Sequence, residues 1–330
     1  MMTRLLRSAT VAAALTVAFG TVGAGAQDQI VLRSADTHPD GYPTVEAVKY
    51  MGELLADWTS GRITVEVYPN RQLGEERDTI EQVMIGALEM NRVNMAPLNN
   101  IVPETVVPGL PYIFTSVDQM RRVMDGEIGL EIMRAMEAQG IVGLAYYDAG
   151  ARSFYNTVRP ITSAEDLEGL RIRVMNSDMF VATMEALGAN ATPMEFGQVY
   201  DALRTGVIDG AENNFPSYET TRHFEVAGFY TLDEHSLTPE ILMISKQVWD
   251  GINEDDQILI RKAAALSVPY MRELWDAQEA ASREAVIAAG AEIVDDIDKQ
   301  PFIDAMAPVY EQFVTTPELQ DLVERIRAVK

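Results

Sequence analysis

Arg62-Ile-Thr-Val-Glu-Val-Tyr68 places Ile63, Val65 and Val67 on one face, and alternation with a period of two over that length is a strand signature. The segments on either side decide what kind of sheet it joins. Upstream, residues 44–58 repeat apolar side chains at helical spacing (Val48, Met51, Leu55, Trp58) and stop before Gly61, while residues 30–34 read as another short strand. Downstream, the turn Gln72-Leu-Gly74 leads into a second helix over residues 76–88. This βαβα order predicts an α/β chain with a largely parallel sheet and right-handed crossovers. In such sheets ligands gather beyond the carboxyl ends of the strands. His38, Glu76 and Asn94 stand just past those ends.

Pro97, Pro103, Pro108 and Pro111 break up the next connection, after which residues 117–124 and 129–136 read as helices and 141–147 as a strand. A second lobe begins near Gly150. There, Ser163-Ala-Glu-Asp166 is a capping box, helices are expected over 178–187 and 197–205, and a strand at 207–209 delivers Asn213 and Asn214. Residues 254–289 are almost all helix formers, with Leu259, Ala263, Leu266, Tyr270 and Leu274 marking the apolar face. A helix of that length reaches roughly 50 Å, further than one lobe is wide. It is expected to run along both lobes, with a kink at Pro269 that could serve as a hinge. The division predicted is 27–150 plus about 239–275 for one lobe, and 151–238 plus about 276–330 for the other.

Residues 1–26 read as a cleaved secretory leader, because Arg4 and Arg7 precede an apolar run that ends in Ala24-Gly-Ala26. Removing it makes an already acidic chain (formal net charge -24) more so. No later window approaches the roughly 20 apolar residues that span a bilayer. The absence of cysteine excludes disulfides, thiol nucleophiles and cysteine-held metal. Such an acidic chain with no basic patch is no partner for nucleic acid.

Two arginines point to an anion. In a strand over residues 170–175, Ile172 and Val174 face one side while Arg171, Arg173 and Met175 face the other, so Arg173 can be held rigidly beside a cleft. A guanidinium fork matches a carboxylate. Arg152, in Gly-Ala-Arg-Ser-Phe-Tyr-Asn, is the second candidate, with Glu76 or Asp148 as its possible partner. A plain salt bridge could equally explain Arg173, and a helix dipole could explain Glu76. Asn213 is favoured over Asn214, since alternation aims only one of them into the cleft. Met175, Phe196 and Tyr218 are either packing or an apolar platform, as is Phe154. His223, His235 and the three tryptophans are expected to be structural.

Four motifs together resemble the solute-binding proteins of tripartite ATP-independent periplasmic (TRAP) transporters. They are Tyr68-Pro-Asn-Arg-Gln-Leu-Gly-Glu-Glu-Arg77, Gly169-Leu-Arg-Ile-Arg-Val174, Thr192-Pro-Met-Glu-Phe-Gly-Gln-Val-Tyr-Asp-Ala-Leu203 and Val207-Ile-Asp-Gly-Ala-Glu-Asn213. The resemblance covers essentially the whole chain after the leader. It implies a two-lobed α/β periplasmic binding protein that closes like a flytrap, with a long helix spanning both lobes, and an arginine for the ligand carboxylate that falls on Arg173. The family's other pocket positions fall on His38, Glu76, Asn94, Arg152 and Asn213. Ser-Ala-Asp-Thr-His-Pro-Asp-Gly-Tyr-Pro at 34–43 and Asn91-Arg-Val-Asn-Met-Ala-Pro97 resemble the subgroup that binds hexuronates. Asn94 stands where some relatives carry an acid, and an amide offers both donor and acceptor to a hydroxyl.

The function implied is periplasmic capture of D-galacturonate or D-glucuronate, followed by delivery to the small and large TRAP membrane subunits. No catalytic residue, metal or cofactor is expected. A uronate carries one carboxylate and several hydroxyls, which suits one or two arginines among neutral and acidic groups. A C4-dicarboxylate or keto acid is the alternative ligand. A periplasmic uronate lyase with Tyr218 or His38 as base is the competing class, and it lacks an orienting partner for that base.

Overall fold

The computed structural model describes residues 29–330; the expected leader at 1–26 lies outside them. Its strands, in chain order, are β1 (Ile30–Ala35), β2 (Ile63–Tyr68), β3 (Met90–Asn94), β4 (Ile141–Tyr147), β5 (Arg152–Asn156), β6 (Arg171–Val174), β7 (Asn190–Pro193), β8 (Gly210–Asn213), β9 (Phe229–Ser236), β10 (Glu240–Ser245) and β11 (Glu292–Val294). They form two sheets, ordered β2-β1-β3-β10-β4 and β11-β9-β5-β8-β6-β7.

The βαβα reading of the first 90 residues holds: β1 lies parallel to both β2 and β3, with the Pro43–Thr59 and Glu76–Met84 helices between them. A largely parallel sheet does not. β10 enters antiparallel between β3 and β4, and β5 runs antiparallel to both β8 and β9. The reason lies in connectivity. The chain leaves the first sheet after β4 and returns from β9 to β10 through residues 237–239, so each sheet accepts a strand arriving from the other. The strand expected at 207–209 forms later, as β8, because Gly206 (φ 71°) ends the Val199–Thr205 helix in a left-handed turn.

This strand exchange positions the site. Glu240 pairs with Asn94, and Ser153 with Asn213. The beginnings of β10 and β5 therefore lie at the same sheet edges as the carboxyl ends of β3 and β8. Those two edges face each other.

The long helix runs from Glu254 to Ala288, 35 residues. Asn253 caps it, three acids occupy its positive first turn, and Asp256 forks to Arg62 at 2.6 and 2.7 Å, fastening it beside β2. It packs first on the Pro43–Thr59 helix and further along on the Phe215–Thr220 helix, so it serves both halves of the molecule. The buried stripe is rotated from the expected one: Ile260, Ala263, Ala264, Ser267, Met271 and Trp275 face inward, while Leu266 and Tyr270 stay exposed. Small residues at 263, 264 and 267 let the helix approach its neighbours closely. The helix continues through Pro269, whose missing N–H frees the carbonyl of Ala265 on the exposed side, where water can bond it.

The last helix, Pro317–Ala328, packs against Pro103–Gly109 and Glu127–Met136, elements of the first half, where Gln119 also donates to the carbonyls of Ile326 and Val329. Trp249 and Trp275 are core, whereas Trp58 lies half-buried under Lys262. No helix among the described residues is long and apolar enough to cross a membrane.

Candidate functional site

Between the facing sheet edges lies a small cavity lined by side chains from both sheets. Side chains from the two halves meet around it. Tyr42 Oη lies 3.1 Å from Ser217 Oγ, the Asn99 amide 2.9 Å from Ser177 Oγ, and the Gly197 N–H donates to Glu75 Oε1 at 3.2 Å. The cleft is shut.

Arg173, on β6, reaches the cavity and is 4 % exposed. Its Nε donates to the Met194 carbonyl at 2.8 Å, which fixes the guanidinium. Among the described residues no carboxylate lies within salt-bridge distance of it. Burial therefore pulls its pKa down, opposed by the more distant Glu212. A buried guanidinium held rigidly with no carboxylate of the protein beside it has the chemistry to pair with a small anion. Arg171, on the same face of β6 but at its exposed start, pairs instead with Asp209.

Arg152 plays a different part. Glu212 takes its fork at 2.6 and 2.9 Å, and Asn213 Oδ1 accepts from Nη1 at 3.1 Å. Neither expected partner is used, since Asp148 is occupied by Arg121 and Arg272, and Glu76 lies instead beside Arg92. Behind Glu212 stands His235, with Nε2 at 3.4 Å and Nδ1 at 2.6 Å from Asp233. Burial alone would raise Glu212, yet Arg152 and His235 hold it down to about 2. Burial alone would lower His235, yet Asp233 and Glu212 lift it to about 9. Arg152, Glu212, His235 and Asp233 thus form a buried row of alternating charge that holds Arg152 in place.

This row makes stability pH-dependent in a definite direction. An imidazole near 6.5 when unfolded and near 9 when folded contributes fully below about pH 6.5 and loses that contribution as pH rises through about 9. The loss is on the order of 3 kcal/mol. Urea unfolding of His235→Gln should therefore show a shallower decline from neutral to alkaline pH than the parent. Parallel declines would mean that His235 is neutral.

The remaining donors and acceptors divide cleanly. Asn94 Oδ1 is used by the Ala96 N–H at 2.9 Å, leaving Nδ2 buried without a partner. The amide is therefore a donor here, without the free acceptor expected of it. Asn213 is alike, because Arg152 and the Asn214 N–H both use its oxygen. His38 stacks on Tyr42, with ring centroids 3.8 Å apart, and its Nδ1 is also buried and unpartnered. Burial, with Arg92 nearby, keeps that ring neutral by pulling its pKa well down. Glu76 accepts the Asn94 N–H at 2.8 Å. Met175 and Phe196 supply apolar lining, and Phe196 meets the His38 ring edge-on at 5.4 Å.

Two expected residues turn away. Asn214 caps the Phe215–Thr220 helix through the Ser217 N–H and donates to the Ala149 carbonyl at 2.7 Å. Tyr218 points into the core, where its hydroxyl donates to the Ala227 carbonyl at 2.5 Å between Tyr155 and Tyr230. Phe154 is core too, stacked on His235. Three lining residues were not foreseen: Thr37, Ser217 and Glu240. Thr37 precedes His38, and Ser217 follows the cap at Asn214, so both were within reach of a local argument. Glu240 begins a strand.

Gly197 carries a test of closure. A Cβ there would come within 2.4 Å of Glu75 Oε1 and 2.9 Å of Arg71 Nε, displacing the Glu75 side chain from the Gly197 N–H. Gly197→Ala should weaken ligand binding by ~5–10-fold, through faster dissociation, as expected for loss of about one hydrogen bond. Its thermal midpoint without ligand should stay unchanged. Stopped-flow fluorescence measures the first and calorimetry the second; an unaltered dissociation rate would remove Glu75 from the closing contact.

Two α/β sheets that shut edge to edge on a buried, unpaired guanidinium define a solute-binding protein for a small organic anion. Residues 34–316 match the model for bacterial extracellular solute-binding protein, family 7, and the chain belongs to that family, the solute-binding proteins of TRAP transporters. A solved TRAP solute-binding protein from Bradyrhizobium sp. BTAi1, in complex with α/β-D-galacturonate, superposes with a TM-score of 0.89 at 56% identity, covering 91% of this chain and 99% of that one. One from Roseobacter denitrificans with bound β-D-glucuronate gives 0.89 at 46% identity, covering 91% and 100%. The solute-binding protein of Chromohalobacter salexigens is 44% identical over 296 residues, 89% of this chain and 88% of its own.

Proposed function

We propose that this chain captures a hexuronate, D-galacturonate or D-glucuronate, in the periplasm and hands it to the two membrane subunits of a TRAP transporter without altering it. The observation that carries this reading is Arg173, a buried and rigid guanidinium with no carboxylate of its own. A ligand carboxylate completes it. The amide hydrogens of Asn94 and Asn213, the Glu76 carboxylate and the Ser217 hydroxyl match the several hydroxyls of a sugar acid better than the second carboxylate of a C4-dicarboxylate. The relatives bound to galacturonate and glucuronate support the same choice.

Export with removal of residues 1–26 would place the protein where it meets such ligands. The two sheets are then the cores of two lobes, 27–150 with about 239–275 and 151–238 with about 276–330, the final helix reaching back to brace the first. Capture without chemistry is supported by the site itself, since His38 Nδ1 has no partner to orient it as a base and the Tyr218 hydroxyl is spent in the core.

Isothermal calorimetry of the mature protein, unfolded and refolded to strip carried-over ligand, tests the assignment. Micromolar or tighter binding of one of the two hexuronates is expected, with the ligand recovered unchanged. Binding of succinate or pyruvate in preference to both would move the ligand class, and release of an unsaturated sugar acid would make the protein an enzyme.

A further inference from the structure

The cavity wall built on the first sheet holds more carboxylates than cations. Arg92, 1 % exposed on β3, gives its fork to Asp36, with Nε to Oδ2 at 2.8 Å, and a further bond from Nη1 to Glu240 Oε2; Glu76 Oε1 lies 3.8 Å from that same Nη1. Across the cavity Arg152 is committed to Glu212. Only Arg173 is free, and it is the anchor for the ligand's own carboxylate. With a sugar acid bound, five carboxylates would share three guanidinium groups, His235 and Asp233 balancing each other. Dry, uncompensated charge costs several kcal/mol per ion, and the group with fewest donors takes up a proton instead.

Glu240 is that group. Asp36 accepts from both arms of Arg92, from the His38 N–H at 2.8 Å and from Thr44 Oγ1, and Glu76 holds the Asn94 N–H. Glu240 is bonded through Oε2 alone, and among the described residues no donor reaches Oε1. The unpartnered, buried Asn94 Nδ2 and His38 Nδ1 border the same wall, marking it as a surface that a ligand completes.

We propose that Glu240 meets the ligand as a neutral carboxylic acid, its Oε1–H donating to a ligand oxygen while Oε2 accepts from Arg92, so that above neutral pH a solvent proton is captured with each sugar acid. The ionisable groups around it are Asp36 beyond β1, Tyr42 before the Pro43–Thr59 helix, Glu76, Arg92 on β3, Tyr147 opposite on β4 and Arg152 on β5. Burial drives both phenols further from ionisation, so they stay neutral. For Glu240 itself, burial outweighs the pull of Arg92 and, with Glu76 and Asp36 beside it, lifts the carboxyl to about 7 before any ligand arrives.

The linkage has one sign. If only the protonated form binds, affinity is flat below about pH 7 and falls by up to tenfold per pH unit above it. The proposal rests on the hexuronate reading for its probe. Titrating the refolded protein with D-galacturonate and D-glucuronate at about pH 6 and pH 8.5, in buffers of different ionisation enthalpy, counts the protons taken up. The expected result is close to one proton per ligand at the higher pH and close to none at the lower. Glu240→Gln, which imitates the neutral acid, should bind within about threefold of the parent at pH 6 and take up no proton at either pH. Proton uptake that persists in Glu240→Gln overturns the proposal, as does a parent that takes up none at the higher pH or a variant weakened more than about thirtyfold at pH 6. If neither hexuronate binds at any pH, the uronate reading fails instead. Carbon-13 NMR titration of the glutamate carboxyls, with Glu240→Gln as assignment control, then decides the proposal, because a Glu240 carbon that titrates below about pH 5 sinks it.

Discussion

Arg173→Met loses about 3–5 kcal/mol of hexuronate binding, two orders of magnitude or more in Kd, while the ligand-free protein becomes no less stable. The two effects have opposite causes. In the ligand-free protein Arg173 is a buried cation held by one carbonyl, so replacing it with an apolar chain of similar length removes an uncompensated charge. In the complex the same replacement leaves the ligand carboxylate buried without a cation. Calorimetry reads the binding loss and urea unfolding the stability. Arg173→Lys should recover only part of the affinity, because one ammonium cannot reproduce a planar fork. A loss below tenfold for the methionine variant would shift the anchoring role to Arg152. That outcome is disfavoured because Arg152 already spends its fork on Glu212.

What the sequence could tell depended on how local the cause was. Strand alternation put Arg171, Arg173 and Met175 on one face of β6, but it did not say which part of that face meets the cavity: Arg171 is exposed at the start of the strand, whereas Arg173 is buried toward its carboxyl end. The βαβα start was legible, each helix and strand carrying its own periodicity and turn. Glu240 was not, since its place at the cavity follows from β10 inserting antiparallel beside β3, a pairing across almost 150 positions that leaves no local trace. Asn214 and Tyr218 failed for the converse reason. Their neighbourhood was correct, but Asn214 is used as a helix cap and Tyr218 points into a cluster of aromatic rings. The partner of Arg152 was missed because Glu212 lies on the strand next to it in space, 60 positions away in sequence. The rotated stripe of the long helix teaches the same lesson: Ala263, Ala264 and Ser267 are buried because close helix packing rewards small residues over large apolar ones.

Arg92→Met is expected to be the most destabilising change in the cavity wall. Arg92 is the only cation within salt-bridge distance of Asp36, Glu76 and Glu240 among the described residues. Removing one partner of a buried ionic cluster costs about 3–5 kcal/mol, since the charges left behind have no compensation. The cost must depend on pH. Burial raises Glu76 and Glu240 even with Arg92 in place, and Arg92 is what pulls both down. Without it both rise further, so the folded variant binds more protons than its unfolded chain, and its stability falls as pH increases. Urea unfolding should therefore find variant and parent close together near pH 5 and separating through about pH 8, where Glu240 of the parent has ionised against its guanidinium but the variant has no such partner. A small and pH-independent difference would mean that water reaches these carboxylates in the closed cavity and hydrates them. The same result would weaken the case for a neutral Glu240, because both arguments require the wall around Arg92 to be dry.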